Sequence, residues 1–261
     1  MALVMHRKFF KICFNGILTL SCLLYSVTNN AQIDMKLMGD DGIPHNLEFH
    51  NADGSIIPIG NSSDIAGSPL FNDQWGLGIV QFKNGIKFTD STVGFSLYNG
   101  RLFFKKDNKA YSIDYPIAAF ALKYPENPNE DKIYTFKNGF PAINGNDSLT
   151  FYEILYGGES LKLLKSLQKK VQETYGYGVG SRRQYSLKGE FFIFLCKQNE
   201  MINLGTNPNE KSLKKKLRQF SDEIKSYLSG RKLNLKNDDD LIQLISSLDW
   251  QELNKSYTFR L

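Results

Sequence analysis

The side chains best suited to chemistry lie in one short polar segment in the first quarter of the chain. His45, Glu48, His50 and Asp53 combine the imidazole and carboxylate groups that bind transition metals in proteins. A zinc-binding helix needs two histidines four residues apart, whereas these are in the pattern His-x2-Glu-x-His, with Gly and Pro nearby. Polar residues of an irregular segment are the better interpretation, and no metal, cofactor or catalytic residue is predicted.

Two other segments have the composition of anion sites. Gly176-x-Gly178-x-Gly180 is followed by Arg182 and Arg183, but it lacks the glycine order and the Lys-Ser/Thr ending of phosphate-binding loops. A hairpin loop is the preferred interpretation. The cationic run Lys211–Arg218 could contact anionic lipid or glycan, but a solvated face of an amphipathic helix is the more common explanation of such a run.

The remaining candidates also favour structural roles. Asp238–Asp240 lacks the spaced ligands and central glycine of a calcium loop, so helix capping is predicted. Cys196 ends an apolar run, where a thiol packs as a small hydrophobic group. The sequence contains neither a Gly-x-Ser-x-Gly elbow nor a P-loop. A pair of carboxylates needs only spatial proximity, so a carboxylate-dependent hydrolase stays open as an alternative.

Residues 1–31 have the pattern of a signal peptide. Cationic residues precede an apolar stretch over 12–27, and small and polar residues then lead to a predicted cleavage after Ala31. The alternatives are an uncleaved N-terminal anchor, for which the apolar run is short, and lipidation at Cys22, which lacks a following polar tether. Export to the periplasm or outer-membrane surface is therefore predicted.

Cleavage would change the charge and the cysteine count. Residues 1–31 contain Arg7, Lys8 and Lys11 and no acids, so losing three positive charges from +5 leaves +2. The basic pI thus arises mainly from the targeting segment, and no nucleic-acid partner is predicted. Cys196 would be the only cysteine left, which excludes an intramolecular disulfide.

The centre of the chain, residues 75–122, predicts an antiparallel meander. Asn84-Gly85 and Asn99-Gly100 separate aromatic and β-branched runs, as in two-residue hairpin turns with positive φ at both positions. Connections this short join antiparallel neighbours, because parallel strands need a crossover of about a dozen residues. The predicted strands are Gly76–Phe82, Ile86–Phe88, Val93–Tyr98, Leu102–Lys105 and Ala110–Ile113, with Ile117–Leu122 as a strand or connector.

Later segments predict further strands and then helices. In Leu161–Val171 the leucine spacing favours a helix, but the Gly157-Gly158 turn favours a hairpin, and we predict a strand. The other predicted strands are Lys132–Phe136, Phe151–Tyr156, Tyr185–Leu187, Glu190–Cys196 and Met201–Leu204. One helix is predicted between Pro208 and Gly230 and a second after Asn237. The apolar positions of the first helix are Leu213, Leu217, Phe220, Ile224 and Leu228.

Six short motifs between Gly67 and Leu248 carry a family resemblance. They are Gly67-Ser68-Pro69-Leu70, Trp75-xx-Gly78-x-Val80 with Asn84-Gly85, Tyr98-Asn99-xx-Leu102, Ile224-Lys225-xx-Leu228, Lys232-Leu233-Asn234-Leu235 and Asp240-Leu241-Ile242-xx-Ile245. With these residues the chain resembles uncharacterised exported proteins of Gram-negative bacteria, which have no established activity. The resemblance implies export and a fold of strands and helices. Arg101 departs from the acidic residue often found there in that group.

These patterns together predict an α+β protein. It would be mainly an antiparallel β meander, as a sheet, roll or open barrel, followed by a C-terminal pair of amphipathic helices. The predicted segments are the signal peptide 1–31, an irregular lead-in 32–70, the β domain 71–205, the helical pair 206–248 and a tail 249–261. The predicted function is non-enzymatic binding or a structural role in the cell envelope, with an envelope protein, glycan or small ligand as partner. A carboxylate-dependent hydrolase of glycans is the alternative.

Overall fold

The computed structural model describes residues 49–50, 65–106, 109–124, 132–176 and 180–258. The predicted signal peptide lies outside the described residues, as do His45, Glu48 and Asp53. Most of the predicted lead-in also lies outside them, apart from residues 49–50 and 65–70. His50 is described only as part of a strand, so the structure does not test whether these four side chains come together.

The described residues form a mixed open sheet of twelve strands followed by helices, which confirms the predicted α+β class. The strands are β1 (Phe49–His50), β2 (Ile65–Ala66), β3 (Gly76–Phe82), β4 (Lys87–Phe95), β5 (Leu102–Lys106), β6 (Lys109–Ser112), β7 (Ile117–Lys123), β8 (Ile133–Lys137), β9 (Tyr152–Gly157), β10 (Leu161–Gly176), β11 (Gly180–Leu195) and β12 (Glu200–Gly205). Their order is β1-β6-β5-β4-β3-β7-β8-β9-β10-β11-β12, with β2 beside β11. Among the strands of the described residues, only the β1–β6 and β2–β11 pairs are parallel.

The sheet consists of two meanders that meet where β3 pairs with β7. Strand β7 follows β6 in the chain but lies beside β3, with Val80 opposite Phe120 and Gly78 opposite Leu122. The prediction that all consecutive strands are neighbours is therefore wrong at this point. Pairing β7 with β3 extends one apolar inner face, because Val80, Phe120 and Leu122 are all almost fully buried.

Both Asn-Gly pairs form hairpin turns, but the predicted two-residue turn type is wrong. Only the glycines have positive φ, 88° at Gly85 and 72° at Gly100. The side-chain oxygen of Asn84 accepts a hydrogen bond from the Ile86 amide at 3.0 Å, and Asn99 does the same for the Arg101 amide at 3.1 Å. Each loop is longer than two residues, so a single left-handed residue is enough and glycine supplies it.

Several predicted strands are longer than expected. The predicted strands 86–88 and 93–98 are replaced by the single strand β4 (Lys87–Phe95). Its register with β3 shifts between Gly78 and Val80. Segments 185–187 and 190–196 likewise belong to the single strand β11. The predicted strand at Leu161–Val171 is confirmed as part of β10. Its leucines resemble a helical pattern because β10 is buried on both faces near its start, and such strands lose simple alternation.

Three apolar clusters stabilise the sheet. The first fills the inner face of β3–β8 and includes Phe71, Val80, Phe95, Phe120 and Phe136. The second lies between the inner face of β10–β12 and the helices and includes Leu163, Phe191, Leu217, Ile224 and Leu244. The third lies on the opposite face and includes Phe140, Tyr152, Leu164, Phe192 and Met201.

The C-terminal layer contains three helices instead of the predicted pair. They are α1 (Glu210–Lys216), α2 (Ser221–Leu228) and α3 (Asp238–Thr258). A 3-10 turn at Arg218–Phe220 separates α1 from α2. The apolar residues keep the spacing of one continuous helix across this turn, because a 3-10 helix also has about three residues per turn. Helix α3 extends beyond Leu248, where the predicted tail begins. Among the described residues, no helix is long and apolar enough to cross a membrane.

Two buried charged side chains connect separate parts of the fold. Asp249 of α3 accepts hydrogen bonds from the backbone amides of Ser160 and Leu161, at 2.8 and 2.6 Å, and from the Tyr156 hydroxyl. Lys169 of β10 donates to the carbonyls of Ser68 and Leu70 and to Asp73. These contacts satisfy groups that would otherwise be costly to bury.

Candidate binding groove

An open groove of about 450 Å³ is lined by residues of the β3–β4, β4–β5, β6–β7 and β8–β9 connections and of the adjoining strand ends. Its volume is within the range of about 300–1,000 Å³ that is typical of small-molecule sites. The lining residues come from loops and strand ends that are far apart in the sequence. They are Lys83, Gly100, Arg101, Leu102, Ser112, Ile113, Asp114, Tyr115, Pro116, Ile117, Asn138, Leu149 and Phe151.

Backbone and side-chain hydrogen bonds hold these loops together. The Lys83 amide, in the β3–β4 turn, donates to the Pro116 carbonyl in the β6–β7 connection at 2.8 Å. The side-chain amide of Asn138 donates to the Ile117 carbonyl at 2.9 Å. Asn138 is buried, so this bond also satisfies a polar group that has left water. These two bonds therefore hold the connection that leads into β7 against the β3–β4 turn and the end of β8.

Three apolar residues of the groove lining are partly exposed, and we call Leu149, Phe151 and Tyr115 together its apolar wall. Phe151 packs edge-to-face against Phe120, with ring centroids 5.1 Å apart. Leu149 projects beside it and remains 62% exposed, while its amide is held by the carboxylate of Asp147 at 3.0 Å. Tyr115 is 44% exposed and packs edge-to-face on Phe82. A fixed apolar wall that is left in contact with water favours a ligand that covers it.

The polar lining contains two cations and one acid. Lys83 and Arg101 supply positive charge, and Asp114 is the only acid that lines this groove among the described residues. The Asp114 carboxylate accepts a hydrogen bond from the Ser112 hydroxyl. A hydrolase of the two-carboxylate type needs a second acid about 5–10 Å from the first and facing the same space. The lining therefore matches a ligand with an apolar body and an anionic group better than it matches that chemistry.

A second unusual group, Glu153, lies in the sheet and does not line the groove. Glu153 is only 6% exposed. Its neighbours on the two adjacent strands are Phe136 of β8 and Lys165 of β10. Burial raises the pKa of Glu153 to about 7, and Asp238 acts in the same direction while Lys165 and Lys132 oppose it. Lys165 forms a 2.7 Å ion pair with Asp238 at the start of α3. This cluster joins the sheet to the helical layer.

The structure places the other predicted candidates away from the groove. Gly176 and Gly180 pair at the end of the β10–β11 hairpin, and residues 177–179 lie outside the described residues. In α1, Leu213 is buried while lysines project outward, which confirms the solvated helix face. Asn237 caps α3 by accepting from the Asp239 amide at 2.7 Å. Within the described ranges, no three His, Cys, Asp or Glu side chains come together as a metal site.

The groove residues were not identified from the sequence because they occupy five separate stretches. Their proximity depends on the β3–β7 pairing, which local patterns do not encode. One residue of the groove could have been noticed in the sequence, because Leu149 is an apolar residue within a polar loop. Comparisons with protein-family models, with curated proteins and with solved structures find no match to this chain.

Proposed function

We propose that this chain is an exported protein of the periplasm or outer-membrane surface that acts by binding a small ligand in the groove. The ligand would have an apolar or aromatic body against Leu149, Tyr115 and Phe151 and an anionic group near Lys83 and Arg101. The observation that carries the proposal is the combination of a fixed, exposed apolar wall with two cations in one groove.

Export is proposed from the N-terminal pattern of cationic residues, an apolar stretch and a small-residue site at Ala31. The resemblance to exported proteins of Gram-negative bacteria supports the same assignment. Mass spectrometry of the protein recovered from a bacterial envelope fraction tests it, because a mature N-terminus at Gln32 is expected. An intact N-terminus on the recovered protein would contradict cleavage.

The alternative is a hydrolase that uses a pair of carboxylates on an envelope or extracellular glycan. It requires a second acid that faces Asp114 across the groove, and the described lining supplies none. Glu153 has a raised pKa, as a general acid often does, but it is buried in the sheet and does not line the groove. The binding proposal is therefore preferred.

A fluorescent probe with matching chemistry tests binding at the groove. Anilinonaphthalene sulfonate has an aromatic body and one sulfonate, so it should bind and gain fluorescence. Leu149→Asp removes part of the apolar wall and adds negative charge, so we expect binding at least about tenfold weaker. The measurement is a fluorescence titration of each purified variant.

Leu187→Asp is the matched control for this substitution. Leu187 is 58% exposed, close to the 62% of Leu149, but it lies on β11 outside the groove. The control should bind the probe about as well as the wild-type protein does. Equal weakening by both substitutions, or by neither, would refute binding of the probe at the groove. Lys83→Gln should also weaken binding, whereas Lys236→Gln, at an exposed site elsewhere, should not.

A further inference from the structure

The β10–β11 hairpin extends well beyond its neighbours in the sheet. The two strands pair along sixteen residues each, from Leu161 opposite Leu195 to Gly176 opposite Gly180. Strand β9 pairs with β10 only as far as Lys165, and β12 pairs with β11 only from Phe191 onward. The outer half of the hairpin is therefore a two-stranded ribbon, which the short strand β2 joins at Arg183 and Gln184.

One face of this ribbon packs in part toward the body of the protein, although Leu187 and Tyr175 on the same face are exposed. It carries Lys169, which is buried, and Tyr185, whose ring packs edge-to-face on Tyr98 at 5.8 Å. The β2 residue on the same face, Ile65 opposite Arg183, is also buried. Side chains of successive strand residues alternate between faces, so the residues in between must lie on the other side.

The other face of the ribbon, which we call the polar ribbon face, contains only polar side chains. All of them are exposed except Ser186, which is half-buried. The four cross-strand pairs on this face are Gln168 with Lys188, Lys170 with Ser186, Gln172 with Gln184, and Thr174 with Arg182. With a rise of about 3.4 Å per residue, these four rows span about 20 Å.

The polar ribbon face has an excess of positive charge, which Lys170 and Arg182 supply because Lys188 is paired with an acid beside the face. Lys188, Lys170 and Arg182 are its ionisable groups, and the next acid on the same side is Glu190, which forms a 2.6 Å ion pair with Lys188. Amides and hydroxyls lie between the cations, and these groups both donate and accept hydrogen bonds. Sugar hydroxyls have the same dual capacity, and an anionic polymer complements the excess positive charge.

We infer that the polar ribbon face binds an acidic polysaccharide chain laid along the hairpin. The carboxylates of the polysaccharide would pair with Lys170, Arg182 and Lys188, and its hydroxyls would bond the glutamine amides between them. This inference does not use the groove and stands independently of the ligand proposed there.

The same face fits other polyanions less well. It has no aromatic ring on which the bases of a single-stranded nucleic acid could stack, and Tyr175 lies on the opposite face of the ribbon. Duplex DNA is commonly held by about six to ten phosphate contacts, whereas three cations are present. A lipid surface would be expected to engage large apolar side chains, whereas the apolar group beside this face in the described part of the chain is the methyl of Ala66, opposite Gln184.

Binding of polygalacturonate to the full chain tests the inference. Biolayer interferometry at low salt should show binding to immobilised polygalacturonate and none to dextran, a neutral glucan. The variant K170Q/R182Q/K188Q should bind at least about tenfold more weakly, because each exposed ion pair contributes modestly and three are lost. Added salt should weaken the wild-type interaction, because exposed charges are screened.

The matched control is K211Q/K215Q/R218Q, which removes two lysines and one arginine from exposed positions in and beside α1. This variant should stay within about twofold of the wild type, and circular dichroism should show both variants folded. Equal loss in both triple variants would overturn the inference, since binding would then follow net charge alone. Unchanged affinity in the hairpin variant, or equal binding of wild type to a DNA duplex, would also overturn it.

Discussion

Replacing Glu153 with glutamine removes one ionisable group from the interior of the sheet without shortening the side chain. Glu153 lies between the first apolar cluster, at Phe136, and the Lys165–Asp238 ion pair. Burial raises the pKa of Glu153 to about 7. The positive charge of Lys165 lowers this pKa, and the negative charge of Asp238 raises it. The protonated form is therefore favoured in the folded protein.

The sign of the pH effect follows from this raised pKa. Between the ordinary value of 4.5 and about 7, the folded protein binds a proton that the unfolded chain has released. Stability must then fall as pH rises through this window, and the loss is complete above about pH 7. The difference between the ordinary pKa of 4.5 and the folded-state pKa of about 7 corresponds to a loss of about 3 kcal/mol in the free energy of unfolding. Glutamine stays neutral at every pH, so Glu153→Gln should remove this cost.

Urea unfolding followed by tryptophan fluorescence measures the effect. At about pH 4.5 the variant and the wild type should have similar free energies of unfolding, and at about pH 8.5 the variant should be more stable by about 2–3 kcal/mol. Glu173→Gln, at an exposed position of β10, should show no such difference. A Glu153→Gln variant whose effect does not change between these pH values would refute the reasoning.

Three further substitutions test the buried contacts. Asp249→Ala should lower the free energy of unfolding by about 2–4 kcal/mol in urea, because two buried amides lose their acceptor; a loss below about 1 kcal/mol would contradict this. Gly158→Ala should lower the thermal midpoint, because its Cβ would overlap the Asp249 carboxylate and the Tyr156 ring; an unchanged midpoint would disprove the clash. Lys169→Met should cost about 2–3 kcal/mol in urea, because the backbone carbonyls it serves lose their donor. Lys170→Met, at the exposed neighbouring position, should change stability by less than about 0.5 kcal/mol, and equal effects would contradict the role of Lys169.

Local features of the fold were predictable because they depend on neighbouring residues. Strand β3 has the predicted bounds, Gly76–Phe82, since its inward and outward residues alternate. The hairpin turns at Gly85 and Gly100 follow from the need for positive φ. Helix α2 stops just before Gly230, whose φ is 75°, as predicted from glycine chemistry.

Features that depend on distant residues were not predictable. The position of β7 beside β3 is decided by which apolar faces fit together, and the sequence of β7 suits either edge of the first meander. The groove needs that pairing, so its residues could not be grouped in advance. Glu153 gave a partial signal as a lone acid in the apolar run Phe151–Tyr156, but its raised pKa follows from burial by neighbouring strands.

The central claim, that a ligand binds in the groove lined by Lys83, Arg101, Tyr115, Leu149 and Phe151, is tested most directly by mapping the probe site with NMR. Anilinonaphthalene sulfonate added to ¹⁵N-labelled protein should shift the amide signals of residues 112–115 and 149–151 first and furthest. The exposed apolar residues Leu77, Ile79 and Ile133, on the outer face of the sheet, offer a rival surface. Shifts centred on those three residues, with the groove signals unchanged, would contradict the account.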